Sequence, residues 1–206
     1  MLKTDRIILI LLILGAAGCL NPSTNKEFNS LANKVAALKI VYKQYTLGQK
    51  LTEDQKKLAS QNAAKDASPG TYKFNDADLF VVAEKNSDRV LILYEHYENA
   101  LKTKGSELIG SLMLGFGDPT VFAHGKTVYW IYNADGKISK EKFNKAKTAP
   151  EQLEILATVK LESSELLLGN NSDQKSQKQG KQEHAQSVYY VISSEPLLKL
   201  LKTQGK

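Results

Sequence analysis

One cysteine and three histidines in 206 residues leave little material for redox or metal chemistry. A lone cysteine forms no internal disulfide, and a thiolate zinc site needs more than one. His96, His124 and His184 share no spacing that would assemble a ligand set, so no metal and no cofactor is expected. The chain contains no G-x-S-x-G elbow and no H-E-x-x-H helix. Gly115-Phe116-Gly117-Asp118-Pro119 reads as the end of a helix, whereas a phosphate cradle opens one. Asp135-Gly136-Lys137 is turn chemistry and lacks the further oxygens of a calcium loop. What is present is ordinary globular material, with 42% hydrophobic and 24% charged residues, which excludes wholesale disorder. The length suits one compact domain with appendages.

The apolar run near the start, Ile7 to Leu14, is far shorter than the roughly 20 residues that cross a bilayer. It follows a short head carrying Lys3 and Arg6 and precedes Gly15-Ala16-Ala17-Gly18, the arrangement of a secretory signal. Ala16-Ala17-Gly18-Cys19 resembles the lipobox of bacterial lipoproteins. That resemblance implies cleavage between Gly18 and Cys19, diacylation of the thiol and acylation of the new amino group. The alternative is a buried structural cysteine in an apolar helix. Three acyl chains exceed the two signals that stable anchoring requires. The resemblance thus implies an exported, membrane-anchored protein with the bilayer as its first partner. Leu20 in place of Asp implies the periplasmic face of the outer membrane if the host is Gram-negative.

Net charge is +6 for the whole chain and +5 once Lys3, Arg6 and Asp5 are removed with residues 1–18. It is unevenly spread: +4 over residues 24–66, −3 over 67–173 and +4 over 174–206. Basic ends suit an anionic lipid or glycan surface, or form only a solvated lysine-rich periphery. Nucleic acid is not expected, because the basic ends lack interleaved aromatics and the address is exported.

The expected organisation is a signal peptide at 1–18, a lipid-anchored tether at 19–25, a helical segment at 26–70 and an α+β domain at 71–206. In the helical segment, Phe28, Leu31, Val35, Leu38, Tyr42 and Tyr45 step at heptad spacing and predict one helix from 26 to about 47. This face and Trp130 are the candidate interaction residues. Thr52 and Gln55 have capping-box spacing, predicting a second helix to about Lys65. Strands are expected at 78–84, 89–97, 127–133, 156–162 and 187–193, and helices at about 99–114, 139–147 and 196–202. The polar tract 170–186 reads as a disordered insert. The fold class is therefore α+β, a small antiparallel sheet with helices packed on it, after an N-terminal helical segment. Because strands 78–84, 127–133 and 187–193 are apolar on both faces, the sheet is expected to be covered on two sides. One cover would be the helix at 99–114, the other the heptad helix or a partner helix.

Glu95-His96-Tyr97-Glu98 offers a histidine between carboxylates, but on a strand Glu95 and His96 point to opposite faces. A helix closing on Gly117-Asp118-Pro119-Thr120, followed by Tyr129-Trp130-Ile131-Tyr132, resembles the BamE/SmpA-type envelope lipoproteins. That resemblance covers about residues 107–133 and implies helices against a three-stranded sheet in an outer-membrane assembly factor. The hairpin at 78–97 and the long insert depart from it. The leading functional expectation is a non-enzymatic lipoprotein that binds or scaffolds an envelope protein partner. The alternative is an envelope enzyme or ligand-binding domain with a site built from Glu95, Glu98, His124 and Tyr132.

Overall fold

The computed structural model describes residues 22–100, 102–148, 153–167 and 186–204. The signal segment with Gly18 and Cys19, and tract residues 170–185, lie outside the described residues.

Helix α1 runs Pro22–Ala37, ten residues shorter at its C-terminal end than the heptad spacing predicts. It is followed by a minimal hairpin, β1 (Val41–Tyr42) against β2 (Tyr45–Thr46). No Gly or Pro marks the stop. Instead Lys39 and Lys43 take left-handed backbone conformations at φ 52° and 53°. The N–H groups of Leu38 and Lys39 bond back to the carbonyls of Val35 and Ala36, tightening the last turn. The following Ile40-Val41-Tyr42 favours extended backbone. Tyr42 and Tyr45 continue the heptad only because the hairpin turns them onto the same core as the helix.

Helix α2 (Glu53–Gln61) opens with the expected capping box. The Gln55 N–H donates to Thr52 Oγ1 at 3.3 Å and the Thr52 N–H donates to Gln55 Oε1 at 2.9 Å. It ends earlier than predicted, because Ala63 and Ala64 pair into the sheet as β3. Six strands follow in part as expected: β4 (Thr71–Asp76), β5 (Leu79–Glu84), β6 (Val90–Ala100), β7 (Val121–Ala123), β8 (Thr127–Asn133) and β9 (Gly136–Lys137). β10 (Ala157–Ser163) and β11 (Gln186–Ser193) complete the set. Between them stand α3 (Lys102–Phe116), α4 (Lys140–Thr148) and, at the end, α5 (Glu195–Gln204).

The architecture is α+β, and the sheet is not small. Nine antiparallel strands lie in the order β3-β4-β5-β6-β11-β10-β8-β7, with β9 paired to β8. Strands β3, β4, β7 and β9 went unpredicted. β4 shows no clean alternation, since only Thr71 and Phe74 are buried in it, and β3 and β9 are two residues each.

Register sorts the side chains into two faces. The inner face carries Val81, Leu93, Ile192, Val159 and Trp130 in one rung across five strands. All five are essentially fully buried. Against this face pack Phe28, Ala32 and Val35 of α1, Leu108, Ile109 and Leu112 of α3, and Leu197 of α5, in one continuous core. Each such large side chain contributes roughly 1.5–3 kcal/mol by leaving water. Helix α4 buries nothing. The expectation of covers on both faces is thus corrected: α1 and α3 lie on the same side of the sheet.

The end of α3 shows how sequence closes an element. Gly117 adopts φ +70° and its N–H bonds to the Met113 carbonyl at 2.8 Å. Lys137 Nζ donates to the carbonyls of Phe116 and Asp118 at 2.8 and 2.9 Å. Trp130 Nε1 donates to the Gly117 carbonyl at 2.7 Å, tying the turn to the core.

Candidate functional site

The outer face of the sheet is the larger feature. Its central rung runs Tyr129, Lys160, Val191, Tyr94, Phe80 and Asn75 across six strands. A neighbouring rung holds Thr127, Glu162, Tyr189 and His96. Phe80, Tyr94, Tyr129, Tyr189 and Val191 all stand outside the main core. Tyr189 is 43% exposed and the others are half-buried. Two pairs of rings lie parallel: Phe80 on Tyr94 at 4.7 Å and 6°, and His96 on Tyr189 at 4.0 Å and 11°. Lys73 Nζ lies 5.7 Å from the Phe80 ring centre, and Lys160 Nζ lies 5.9 Å from that of Tyr129 while also pairing with Glu162.

In each stacked pair one face of each ring is covered by its partner, and a lysine lies near the rings of Phe80 and Tyr129. Tyrosine hydroxyl groups, β-branched side chains and a few charges share the face with these rings. That mixture, rich in tyrosine, is the composition of protein-binding surfaces.

The second candidate is a buried carboxylate on the inner face. Glu95 is 1% exposed. Its Oε2 accepts from Tyr97 Oη at 2.6 Å and from Tyr42 Oη at 3.0 Å. Its Oε1 forms an ion pair with Lys43 Nζ at 2.6 Å. The Tyr42 ring packs on Tyr190 at 4.7 Å. Burial alone would raise the Glu95 carboxyl, but the Lys43 and Tyr97 hydrogen bonds, the Lys43 charge and Tyr42 outweigh it, so the net direction is down. The phenols go the other way. Tyr42 and Tyr97 are raised by burial and by Glu95, Tyr190 by burial first, and Tyr132 is pushed up by burial to about 12. A carboxylate held ionised and engaged by three donors has no proton to supply near neutral pH. It fastens the β1–β2 hairpin to β6.

The candidate catalytic residues of the sequence reading do not converge. Glu95 faces inward and His96 outward, as the strand alternation predicts, and Glu98 is exposed 3.9 Å from His96 Nε2. His124 sits exposed in the β7–β8 turn at φ 53°, and Tyr132 is buried under the sheet. Among the described residues, no group of His, Cys, Asp or Glu could hold a metal ion. The candidate interaction residues are placed in or against the core. Phe28, Val35, Tyr45 and Trp130 are buried, while Leu31, Leu38 and Tyr42 are half-buried. Sequence reasoning overlooked Phe80, Tyr94, Tyr129 and Tyr189 as a surface, because it assigned them a covering helix.

No protein-family model, no curated protein and no solved structure matches this chain. Among the described residues no helix is long and apolar enough to cross a membrane.

Proposed function

We propose that the protein is a lipid-anchored, non-enzymatic binding module of a bacterial cell envelope, and that its outer sheet face docks an envelope protein. The observation that supports this most is one-sidedness. Among the described residues, every helix that buries apolar side chains buries them in the core on the inner face, which leaves the aromatic rungs of Phe80–Tyr94 and His96–Tyr189 outward. A protein is the favoured occupant because the face is broad, spans six strands and mixes tyrosines with β-branched and charged side chains. The anchor rests on the lipobox-like Ala16-Ala17-Gly18-Cys19. The module is exported, and sits on the periplasmic face of the outer membrane in a Gram-negative host.

Metabolic labelling with a fatty-acid analogue tests the anchor. The wild type should be labelled and Cys19→Ser should not. A labelled Cys19→Ser protein, or a mature chain still beginning at Met1, overturns it.

A further inference from the structure

The place where α1 begins limits where the domain can sit. The sequence suggests a seven-residue tether from Cys19, but the helix starts at Pro22, so only Leu20 and Asn21 intervene. Three peptide units reach at most about 11 Å. An acylated Cys19 therefore holds the first turn of α1 at the headgroup layer, which is itself only about 5–8 Å deep on each side of a bilayer.

The surface that α1 offers there is suited to such a place. Lys26, Ser30 and Lys34 follow one another at intervals of four, in a single line along the exposed side of the helix. With Glu27, Leu31 and Leu200 of α5 they line a shallow groove of about 460 Å³. Lys26 and Lys34 are exposed, and among the described residues neither has a carboxylate partner. Lys199 and Lys202 are exposed on α5, the helix that packs on α1, and Lys199 is paired with Glu195 at 2.9 Å.

We propose that this α1–α5 groove docks on the anionic phospholipid headgroups of the bilayer that carries Cys19, laying both helices flat on the surface. The inference rests on the lipid-anchor reading and deepens it. The short tether brings the groove to the surface, the lysine line supplies attraction, and Leu31 and Leu200 provide apolar contact at the interface. Lying flat is required, since Lys26 and Lys34 are about 12 Å apart along the axis and an upright helix would present only one. Because the helices cover the inner face, this pose turns Tyr189 and its neighbours away from the membrane, toward a partner in the compartment.

The test uses the mature lipoprotein in vesicles. With Cys19 acylated, Ser30→Cys or Tyr189→Cys supplies a unique thiol for a spin label. A nickel-chelating headgroup lipid then reports proximity by relaxation. In vesicles containing phosphatidylglycerol, the Ser30 label should relax strongly and the Tyr189 label hardly at all. Phosphatidylcholine alone, or Lys26→Glu with Lys34→Glu, should bring the Ser30 signal down to the Tyr189 level, with a loss of about fivefold per lysine. Equal relaxation at the two sites overturns the pose. A Ser30 signal that survives both neutral lipid and charge reversal shows the tether acting alone and overturns the electrostatic docking. Mass spectrometry of the same sample separates the two claims: acyl chains on Cys19 without Ser30 contact defeat the docking only, whereas a chain without acyl groups defeats the anchor as well.

Discussion

Gly48 lies so close to α1 that a Cβ on it would stand 2.7 Å from the Ala32 carbonyl oxygen and 2.9 Å from the Ala36 nitrogen. The same residue has φ +79° and donates its N–H to the Val90 carbonyl at 2.8 Å. It is the point where helix, hairpin and sheet meet, and no other residue type fits there.

Gly48→Ala should therefore destabilise the protein by about 3 kcal/mol, combining left-handed strain with overpacking against backbone. For a chain of this size that corresponds to a fall in Tm of roughly 6–12 °C. Thermal unfolding followed by circular dichroism checks it. A loss below about 1 kcal/mol would mean that α1 is free to move off the sheet.

Arg89 makes the complementary contact. It is buried, and its Nη1 donates to the Gly48 carbonyl at 2.7 Å, its Nη2 to Asn33 Oδ1 at 2.7 Å and its Nε to Asn29 Oδ1 at 3.1 Å. Burial lowers its pKa, yet the guanidinium stays charged at any working pH. Arg89→Leu should cost about 2–3 kcal/mol, because the Gly48 carbonyl is left buried and unpaired. Hydrogen exchange should show α1 amides losing protection before those of β6 and β11. Uniform loss across the sheet would contradict the clamp.

Glu95 sets the acid limb of stability. Its pKa is lowered in the folded state from an ordinary value of 4.5, so the unfolded chain binds more protons below that value. Its contribution is present above about pH 4.5 and is lost as pH falls through the folded pKa. Glu95→Gln should lower stability at neutral pH by about 1–3 kcal/mol and flatten the decline that sets in as pH falls below about 4.5. Urea unfolding across that range is the measurement. An unchanged acid slope would show that Lys43 and the two tyrosines do not act through this carboxylate.

What the sequence made legible was local. The capping box at Thr52 and Gln55, a glycine stop at Gly115 or Gly117 (the structure uses Gly117) and the opposed directions of Glu95 and His96 all depend on neighbours within a few residues. The heptad reading failed at Lys39 and Lys43, because two lysines take conformations usually left to glycine or asparagine. The Glu95 cluster was illegible because Tyr42 lies 53 residues upstream, and only the hairpin brings it there. Apolar alternation on both faces was visible in strands 78–84 and 187–193. That the outer residues pair with one another, Phe80 with Tyr94 and His96 with Tyr189, depends on a register that no single strand encodes.

Docking of an envelope protein on the outer sheet face, with the lipid holding the chain to its membrane, can be read by site-specific photo-crosslinking in native membranes. The probe is placed in turn at Tyr189, at Tyr129 and at Leu114, which is 91% exposed at the end of α3. Tyr189 and Tyr129 should each give one discrete protein adduct and Leu114 none, and the adduct should be lost when Tyr94→Asp is added in a protein shown to remain folded. Adducts from Leu114 alone, or none from the sheet face in intact membranes, would contradict the docking.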